Sequence, residues 1–371
     1  MIRLFDFMLI SILMASCVSA HPIARRNSLI WGEHGEKWNK SRLPDFTNAG
    51  AFAGKMEIPV YNKTIELKDF GAVGDGIADD SLAFIHAIKK CGEKSTLQIP
   101  IGRYKLSHPL IVSRSQCVIR GAGVQETTLR FERGLEEIAP RFDGEQTDWS
   151  WSGAMVLFDN VRESGIENLT IEFPDHEWGG HNFHERGYNA IGYQNGSRDS
   201  WARKLTIRGA DLGIWIEQSA NHITTENWKI EFGPNREKQK LSCHHAVNVY
   251  GGFNLFQSFE IDGTCQHDLS VESGYSHHNV YSKGRGRNLS FDHNSQDYNQ
   301  KFNLFTDIDI GEGTRMYLSG GQLEPRGVSF NETWWNIRSR VPVPWVTSKG
   351  VSKSNIIVGV NAGSPSVFDD E

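Results

Sequence analysis

The chain has 371 residues, of which 38% are apolar and 23% charged, and its net charge is −6 at pH 7. This apolar fraction supports a large core and excludes a generally disordered chain. The acidic balance lacks the basic excess of nucleic-acid-binding proteins, so we predict no nucleic-acid partner. An anionic ligand would have to bind at a local basic patch.

The first twenty residues have the pattern of an export signal. The apolar run at residues 7–15 is too short to span a bilayer, and small residues at 18–20 predict cleavage after Ala20. We therefore predict a signal peptide at 1–20, a secreted mature protein and no membrane span. The alternative is a lipid anchor at Cys17.

The next segments predict an arm followed by one long domain. Residues 21–64 show little periodicity and predict an N-terminal extended arm, and residues 65–371 form the predicted folded domain. Near its start, the sequence DFGAVGDGIADD at 69–80 predicts a short strand and a glycine turn. A helix should follow, with Asp79 or Asp80 as its cap and an apolar face through residue 90.

Short strand-like segments return along the rest of the chain. Each has apolar residues at its second and fourth positions, which is the period of a β-strand. They begin at Asn168, Lys204, Asn227, Ser258 and Asn288. Strand patterns that return once every 23–36 residues are typical of a solenoid, whose coils bury a common core by stacking.

The stretch at 69–84 resembles the opening motif of the pectate-lyase-like superfamily, which includes polysaccharide lyases and family 28 glycoside hydrolases. This resemblance implies an all-β fold, a right-handed single-stranded parallel β-helix with an N-terminal capping helix. It also implies a structural role in the cap for Asp75, Asp79 and Asp80. Polygalacturonase signatures (Asn-Thr-Asp, a mid-helix Asp-Asp, Gly-His-Gly and Arg-x-Lys) are missing from the body of the sequence, which excludes that assignment but not hydrolysis in general.

Coil spacing predicts which side chains stack in such a fold. Residues about 22–25 positions apart should lie on adjacent coils, about 4.8 Å from each other. We therefore predict a disulfide between Cys243 and Cys265. The same spacing predicts one polar strip of His222, His245, Asp268, Asp292 or His293, Arg315 and Tyr317.

The residue types in this strip fit β-elimination on a uronic acid. That reaction needs a cation to neutralise the substrate carboxylate, a base for the C5 proton and an acid for the leaving oxygen. We assign these roles to Arg315, His293 and Tyr317 in that order. Asp292 and His245 complete the predicted catalytic group.

A second group of residues predicts substrate binding. Glycines at 284 and 286 should expose a basic rim of Lys283, Arg285 and Arg287. The other candidate substrate-binding residues are Asp268, His278 and Trp178.

Two kinds of metal site are consistent with the sequence. Calcium prefers oxygen ligands, and the clustered acids Asp307, Asp309 and Glu312 are its candidates. A transition metal would instead use histidines at coil spacing, and these are His244, His245, His267 and His293.

The sequence thus predicts a secreted enzyme that cleaves an acidic, uronic-acid-containing polysaccharide by β-elimination. Two alternatives stay open. One is a glycoside hydrolase on the same scaffold, which needs two carboxyl groups beside the scissile bond. The other is a non-catalytic glycan-binding β-helix. The sequence leaves the sugar and the oligomeric state open.

Overall fold

A computed structural model describes residue 37 and residues 43–141, 146–293, 301–317, 331–343 and 355–361. Its strand ladders are all parallel, and they form two long sheets. The predicted right-handed parallel β-helix is confirmed. The predicted signal peptide, Cys17 and most of the arm lie outside the described residues. Within the described ranges, no helix is long and apolar enough to cross a membrane.

Sheet 1 contains fifteen strands. They are β1 (Lys63–Glu66), β2 (Asp75–Asp79), β3 (Ser95–Gln98), β4 (Gly102–Leu106), β6 (Cys117–Arg120), β7 (Thr127–Phe131), β9 (Gly165–Glu172), β11 (Arg198–Arg208), β13 (Asn221–Glu231), β15 (Leu255–Asp262), β17 (Val280–Ser282), β18 (Arg285–Gly286), β20 (Leu304–Thr306), β21 (Thr333–Trp335) and β22 (Ile356–Val358). Strands one coil apart are hydrogen-bonded neighbours in it, as the solenoid repeat predicts.

Sheet 2 contains seven strands and faces sheet 1 across the core. They are β5 (Leu110–Val112), β8 (Val156–Asp159), β10 (Asn189–Gln194), β12 (Leu212–Ile216), β14 (Cys243–Val249), β16 (Cys265–Val271) and β19 (Phe291–Asp292). Its inward row runs through Ile191, Ile214, Val247, Leu269 and Phe291, which are paired in register and buried. Burial of this continuous apolar row stabilises the stack of coils.

The predicted helix is present as α1 (Ser81–Lys90), and it packs against β5 and β1. Of the two candidate caps, Asp79 bonds at the start of the helix as predicted, whereas Asp80 bonds elsewhere. Asp80 accepts from the backbone N–H groups of Val73 and Gly74, at 2.7 and 3.1 Å, and so holds the glycine turn. Asp79 accepts from the Ser81 N–H at the start of the helix. That α1 closes the end of the solenoid remains a prediction.

Other helices are single turns. These are α2 (Leu135–Ile138) and α3 (Pro234–Glu237), together with 3₁₀ turns at Ala51–Gly54, Leu67–Phe70 and Asp148–Ser150. In the described part of the arm, the Gly50 N–H donates to the Phe253 carbonyl at 2.8 Å. This part of the arm therefore lies on the side of the solenoid.

The predicted repeats have a structural origin in a sharp bend. In four of them the first residue adopts φ of 52–57°, a left-handed conformation that turns the strand within a single residue. These residues are Asn168, Lys204, Asn227 and Ser258. The bend sets which alternate residues of the following strand point into the core. These inward positions are the apolar ones.

The fifth repeat does not belong to this row. In its coil the left-handed residue is Lys283, and Asn288 instead precedes β19 of sheet 2. Leu289 and Phe291 are buried, so the segment shows the same apolar alternation while it lies in the other sheet. The sequence pattern could not separate the two sheets because both present alternate residues to one core.

The predicted Cys243–Cys265 disulfide is present, with Cα atoms 4.4 Å apart, and a second one joins Cys91 to Cys117. Coil spacing predicted only the first of these disulfides. Closure of a 22-residue loop stabilises a fold by about 3 kcal/mol. We expect the double variant Cys243→Ser/Cys265→Ser to lose about that much unfolding free energy in denaturant titrations. An unchanged midpoint, or free thiols at these positions by mass spectrometry, would contradict this.

Candidate functional site

A cluster of four histidines is formed by strands β14 and β16 of sheet 2 and the loop between β9 and β10. Strands β14 and β16 pair in register, which places Cys243 opposite Cys265 and His245 opposite His267. The ring centres of His245 and His267 are 4.8 Å apart, about one strand spacing. The disulfide lies two residues before this pair, so it fixes the alignment of the two histidines.

A bulge brings the neighbouring His244 into the same cluster. The N–H groups of His244 and His245 both donate to the Asp211 carbonyl, at 3.0 and 3.2 Å. Two successive residues therefore oppose one, which breaks the alternation of side chains along the strand. The rings of His244 and His245 lie only 4.2 Å apart, centre to centre, and both side chains are fully buried.

The loop between β9 and β10 covers these rings. It supplies the exposed His181, whose ring centre is 4.9 Å from that of His244 and 5.3 Å from that of His267. The same loop supplies Phe183, 4.6 Å from His181. The partly exposed Trp151 lies beside His244, with ring centres 4.8 Å apart and planes tilted by 60°. Aromatic rings and one accessible imidazole thus form the outer surface of the cluster.

Two carboxylates anchor the buried rings from behind. Glu185 Oε1 lies 2.9 Å from His244 Nδ1, and Asp292 Oδ2 lies 2.5 Å from His267 Nδ1. Both are close contacts between a carboxylate oxygen and a ring nitrogen. Glu185 also accepts from the Ser150 hydroxyl. Each carboxylate favours a proton on the Nδ1 atom that it faces, and so orients the opposite nitrogen, Nε2, away from it.

Burial keeps most of this cluster uncharged. It lowers the pKa of His245 well below its usual value, and the neighbouring histidines add to the effect. Burial also lowers the pKa of His244, although Glu185 opposes this. The pKa of His181 falls to about 4 through burial and the two nearby rings. At neutral pH these three rings therefore carry no charge and can accept a proton or bind a metal.

His245 differs from its neighbours in its hydrogen bond. Its Nδ1 lies 3.0 Å from the Ser270 hydroxyl rather than from a carboxylate. Within the described ranges, its Nε2 has no hydrogen-bond partner although it is buried. Buried polar atoms are usually paired, so this unpartnered nitrogen calls for an explanation.

The structure does not form the single polar strip that coil spacing predicted. His245 and Asp292 are in the cluster, but His222 lies on β13 of sheet 1. His245 pairs with His267 and not with Asp268, because the step between these coils is 22 residues rather than 23. The insertion before β14 lengthens the preceding coil. A constant number of residues per coil therefore could not predict which residues pair on adjacent strands.

Asp268 and Arg315 form a structural pair. The Arg315 guanidinium donates to Asp268 Oδ2 at 3.2 Å and to the carbonyls of Cys265, Gln266 and Asn288 at 2.7–3.2 Å. Asp268 is fully buried and also accepts from Ser290 and Cys265. The predicted role of Arg315 in neutralising a substrate carboxylate conflicts with these contacts, because its donors already have partners.

We therefore expect Arg315→Met to act on stability. Loss of one partner from a buried ion pair leaves the other uncompensated and costs about 3–5 kcal/mol. Denaturant unfolding should show this loss, whereas turnover per folded molecule should stay near that of the wild type. A large loss of turnover in a fully stable variant would restore the catalytic assignment.

The other two predicted catalytic residues lie beside a different ring. His293 and Tyr317 both contact Trp334, with ring centres 6.0 and 5.9 Å away. His293 is buried, and its Nδ1 lies 3.2 Å from the Phe291 carbonyl. Burial raises the pKa of Tyr317, so its hydroxyl is a poorer acid than in water. This arrangement indicates packing near the C-terminal coils.

The predicted basic rim lies on sheet 1, away from the histidines. Lys283 and Arg285 line a shallow groove of about 750 Å³, together with Asp307, Asp309 and Arg338. Arg285 pairs with Glu260, and Arg287 pairs with Glu237 and Asp262. The basic side chains are therefore largely neutralised by acids, and they do not border the cluster as the sequence predicted.

Two further predicted binding residues occupy other positions. Trp178 is 4% exposed, and its backbone exchanges two hydrogen bonds with the Gln239 side chain. It therefore packs behind His244 and offers no open face for a sugar. His278 has φ of 55° at a bend of sheet 1 and stacks on Phe253.

The predicted calcium ligands do not converge. Asp307 accepts from Asn336, Asp309 from the Gly311 N–H and Glu312 from Asn288. In the part of the chain that the structure describes, the group of three side chains that could hold one metal ion is His181, His244 and His267.

Sequence analysis missed His181 and Glu185 as members of the site. Both lie in a long loop whose path is set by contacts far away in the sequence. For example, the buried Arg236 donates to the His176 carbonyl at 3.0 Å and pairs with Asp211 at 2.7 Å. The available signal was the density of histidines in this loop between two strands.

Comparison with known proteins agrees with this architecture. Residues 64–173 match the family model described as rhamnogalacturonase A/epimerase, pectate lyase-like. Over these residues the chain is similar to pectate-lyase-like proteins. This confirms the resemblance seen in the opening motif, and the matched range includes α1 and the first coils.

The chain is also similar to a curated protein, alginate lyase 7 from Azotobacter vinelandii. It is 26% identical over 228 residues, which cover 58% of this chain and 23% of the relative. The chain thus matches less than a quarter of that protein's length.

Solved structures that are similar to this chain include a hyperthermoactive exopolygalacturonase from Thermotoga maritima. It has 14% identity and a TM-score of 0.49, and the match covers 85% of this chain and 90% of that one. An endo-xylogalacturonan hydrolase from Aspergillus tubingensis also has 14% identity and a TM-score of 0.49, with 81% and 92% covered.

Proposed function

We propose that this protein is a secreted polysaccharide lyase that acts on a polymer containing uronic acids, with its active site at the histidine cluster. The family description and the alginate lyase relative support the substrate class. The observation that carries the reaction type is a group of uncharged imidazoles beside a partly exposed tryptophan. The two nearest carboxylates, Glu185 and Asp292, are each tied to a histidine ring. Hydrolysis would need two carboxyl groups available to the glycosidic bond.

In this proposal His245 is the base. Its Nδ1 is held by Ser270, and its Nε2 has no other partner among the described residues. Nε2 takes the C5 proton of the uronate, the C4–O bond breaks and a C4–C5 double bond forms. The proton that His245 gains then passes to the leaving oxygen. A low pKa of the ring keeps it unprotonated before the reaction begins.

Access to His245 requires movement of the aromatic side chains that cover it. The ring has no exposed surface, and Trp151 lies over it with ring centres 5.6 Å apart. Trp151 is partly exposed, so a sugar can stack on its free face. The proposal therefore requires Trp151 and Phe183 to shift as the polymer binds.

A panel of polysaccharides read in two ways tests the reaction. We expect a uronate polymer to release reducing ends and ultraviolet-absorbing unsaturated ends in equal number, because each β-elimination produces one of each. Reducing ends without absorbance would show a hydrolase. Binding without release of either would show a glycan-binding protein.

A further inference from the structure

Three histidines of the cluster have the spacing of a metal site. One ring nitrogen each from His181, His244 and His267 lie within 4.8 Å of one another. Two of the side chains are fully buried on neighbouring strands of sheet 2, and the third lies at the surface. The same three nitrogens could therefore bind one ion that enters from the side of His181.

The buried nitrogens are otherwise unexplained. In the described part of the chain, Nε2 of His244 and Nε2 of His267 are both buried and have no hydrogen-bond partner. Such atoms are costly to bury, since they have lost water without gaining another contact. The cost would be offset if both lone pairs point at a cation.

We propose that His181, His244 and His267 bind one divalent transition-metal ion of the Zn²⁺ type. A set of imidazoles suits this class of ion, whereas calcium requires oxygen ligands. Zn–N bonds of about 2.0–2.1 Å in a tetrahedral site place the ligand nitrogens about 3.3 Å apart. His181 lies at the surface, so its ring can turn towards the two buried rings as the ion binds.

The surrounding carboxylates have the positions of outer-shell partners. Glu185 faces Nδ1 of His244, and Asp292 faces Nδ1 of His267. A carboxylate on the far nitrogen of a metal-binding histidine fixes the ring and makes it a better ligand. The two negative charges also balance the charge of the ion inside a buried site.

Three protein ligands leave one coordination position open. If the protein has the proposed lyase activity, this open position takes a carboxylate oxygen of the uronate. The metal then supplies the positive charge that the sequence assigned to Arg315. The proton would still go to His245, which is not among the three ligands.

Metal binding can be measured without any polysaccharide. We expect the full-length protein, after removal of bound metal by a chelator, to bind one equivalent of Zn²⁺ in isothermal titration calorimetry. His181→Ala should weaken this binding by more than about 100-fold, because it removes a ligand. This ligand lies in an exposed loop, so the fold should survive, as circular dichroism can check. His86→Ala on α1 is the matched control and should bind as the wild type does.

Two further variants separate a built site from chance contacts. Asp292→Asn and Glu185→Gln should each weaken Zn²⁺ binding by about 10–100-fold while all three ligands remain. The proposal is overturned if Zn²⁺ and Co²⁺ show no saturable binding, or if His181→Ala binds them as tightly as the wild type. Loss of lyase activity alone would not affect this result, since the titration contains no substrate.

Discussion

Replacement of His245 with glutamine is expected to lower turnover by about 10²–10⁴-fold, the usual effect of removing a general base. Glutamine keeps most of the volume of the ring and can still bond to the Ser270 hydroxyl, so the core of sheet 2 should stay intact. Steady-state release of unsaturated ends measures the effect. Because His245 is not a proposed ligand, the Zn²⁺ stoichiometry of the variant should not change.

The matched control is His293→Gln. His293 is also buried, but it lies beside Phe305 and Trp334 and outside the cluster. We expect this variant to keep near wild-type turnover per folded molecule while its stability falls. The reverse result, with His293→Gln inactive and His245→Gln active, would show that the strip predicted from coil spacing is the true site.

The fold could be predicted from sequence because its signals are local. The motif at 69–80 builds one turn and one helix, and the alternation after each bend is decided within six residues. Asn168 and Lys204 show this directly, since each begins a repeat and each is the left-handed residue of its coil. One disulfide followed from the same reasoning, because a gap of 22 residues equals one coil.

The site could be predicted only in part, since its register depends on loop lengths. The insertion between β12 and β14 makes the step from Leu212 to His245 33 residues, whereas the next step, to His267, is 22. A constant interval of 23 therefore joined His245 to Asp268. The bulge at His244 added a second error, because strict alternation would send adjacent histidines to opposite faces.

The predicted roles of the basic residues differ from the structure for another reason. A sequence shows which residues are basic, but not which acids lie one coil away. Arg285 and Arg287 pair with Glu260 and Asp262 of the preceding coil, so they form an ion-paired ladder on sheet 1. Arg315 likewise meets Asp268 at a separation of 47 residues.

A second large effect is expected in acid, where the contribution of His293 to the unfolding free energy should fall, because the unfolded chain takes up a proton at this ring before the folded chain does. Burial lowers the pKa of its ring from 6.5 to about 4, although Asp292 opposes the shift. The nearest acid on the adjoining coil, Glu332, lies 3.9 Å away. Burial raises the pKa of Glu332 to about 8, so it is largely uncharged at neutral pH and offers His293 little compensation.

The direction of this pH dependence follows from the lowered pKa of His293 in the folded state. Below pH 6.5 the unfolded chain binds a proton at His293 and the folded chain does not, so acid favours unfolding. The stability is complete above pH 6.5 and is lost as the pH falls towards 4. A shift from 6.5 to about 4 corresponds to about 3 kcal/mol, at 1.36 kcal/mol for each pH unit. Glu332 acts in the opposite sense between pH 4.5 and 8, because its folded pKa is raised.

Comparison with His293→Leu isolates the histidine, since Glu332 is present in both proteins. Leucine cannot be protonated, so the unfolding free energy of the variant should rise relative to the wild type by up to about 3 kcal/mol between pH 6.5 and pH 4. Denaturant unfolding at a series of pH values measures this difference. His86→Gln removes an exposed histidine of α1. The difference in unfolding free energy between this variant and the wild type should stay constant with pH. If the difference in unfolding free energy between His293→Leu and the wild type is equally constant with pH, the ring of His293 is not held uncharged by burial and the prediction is wrong.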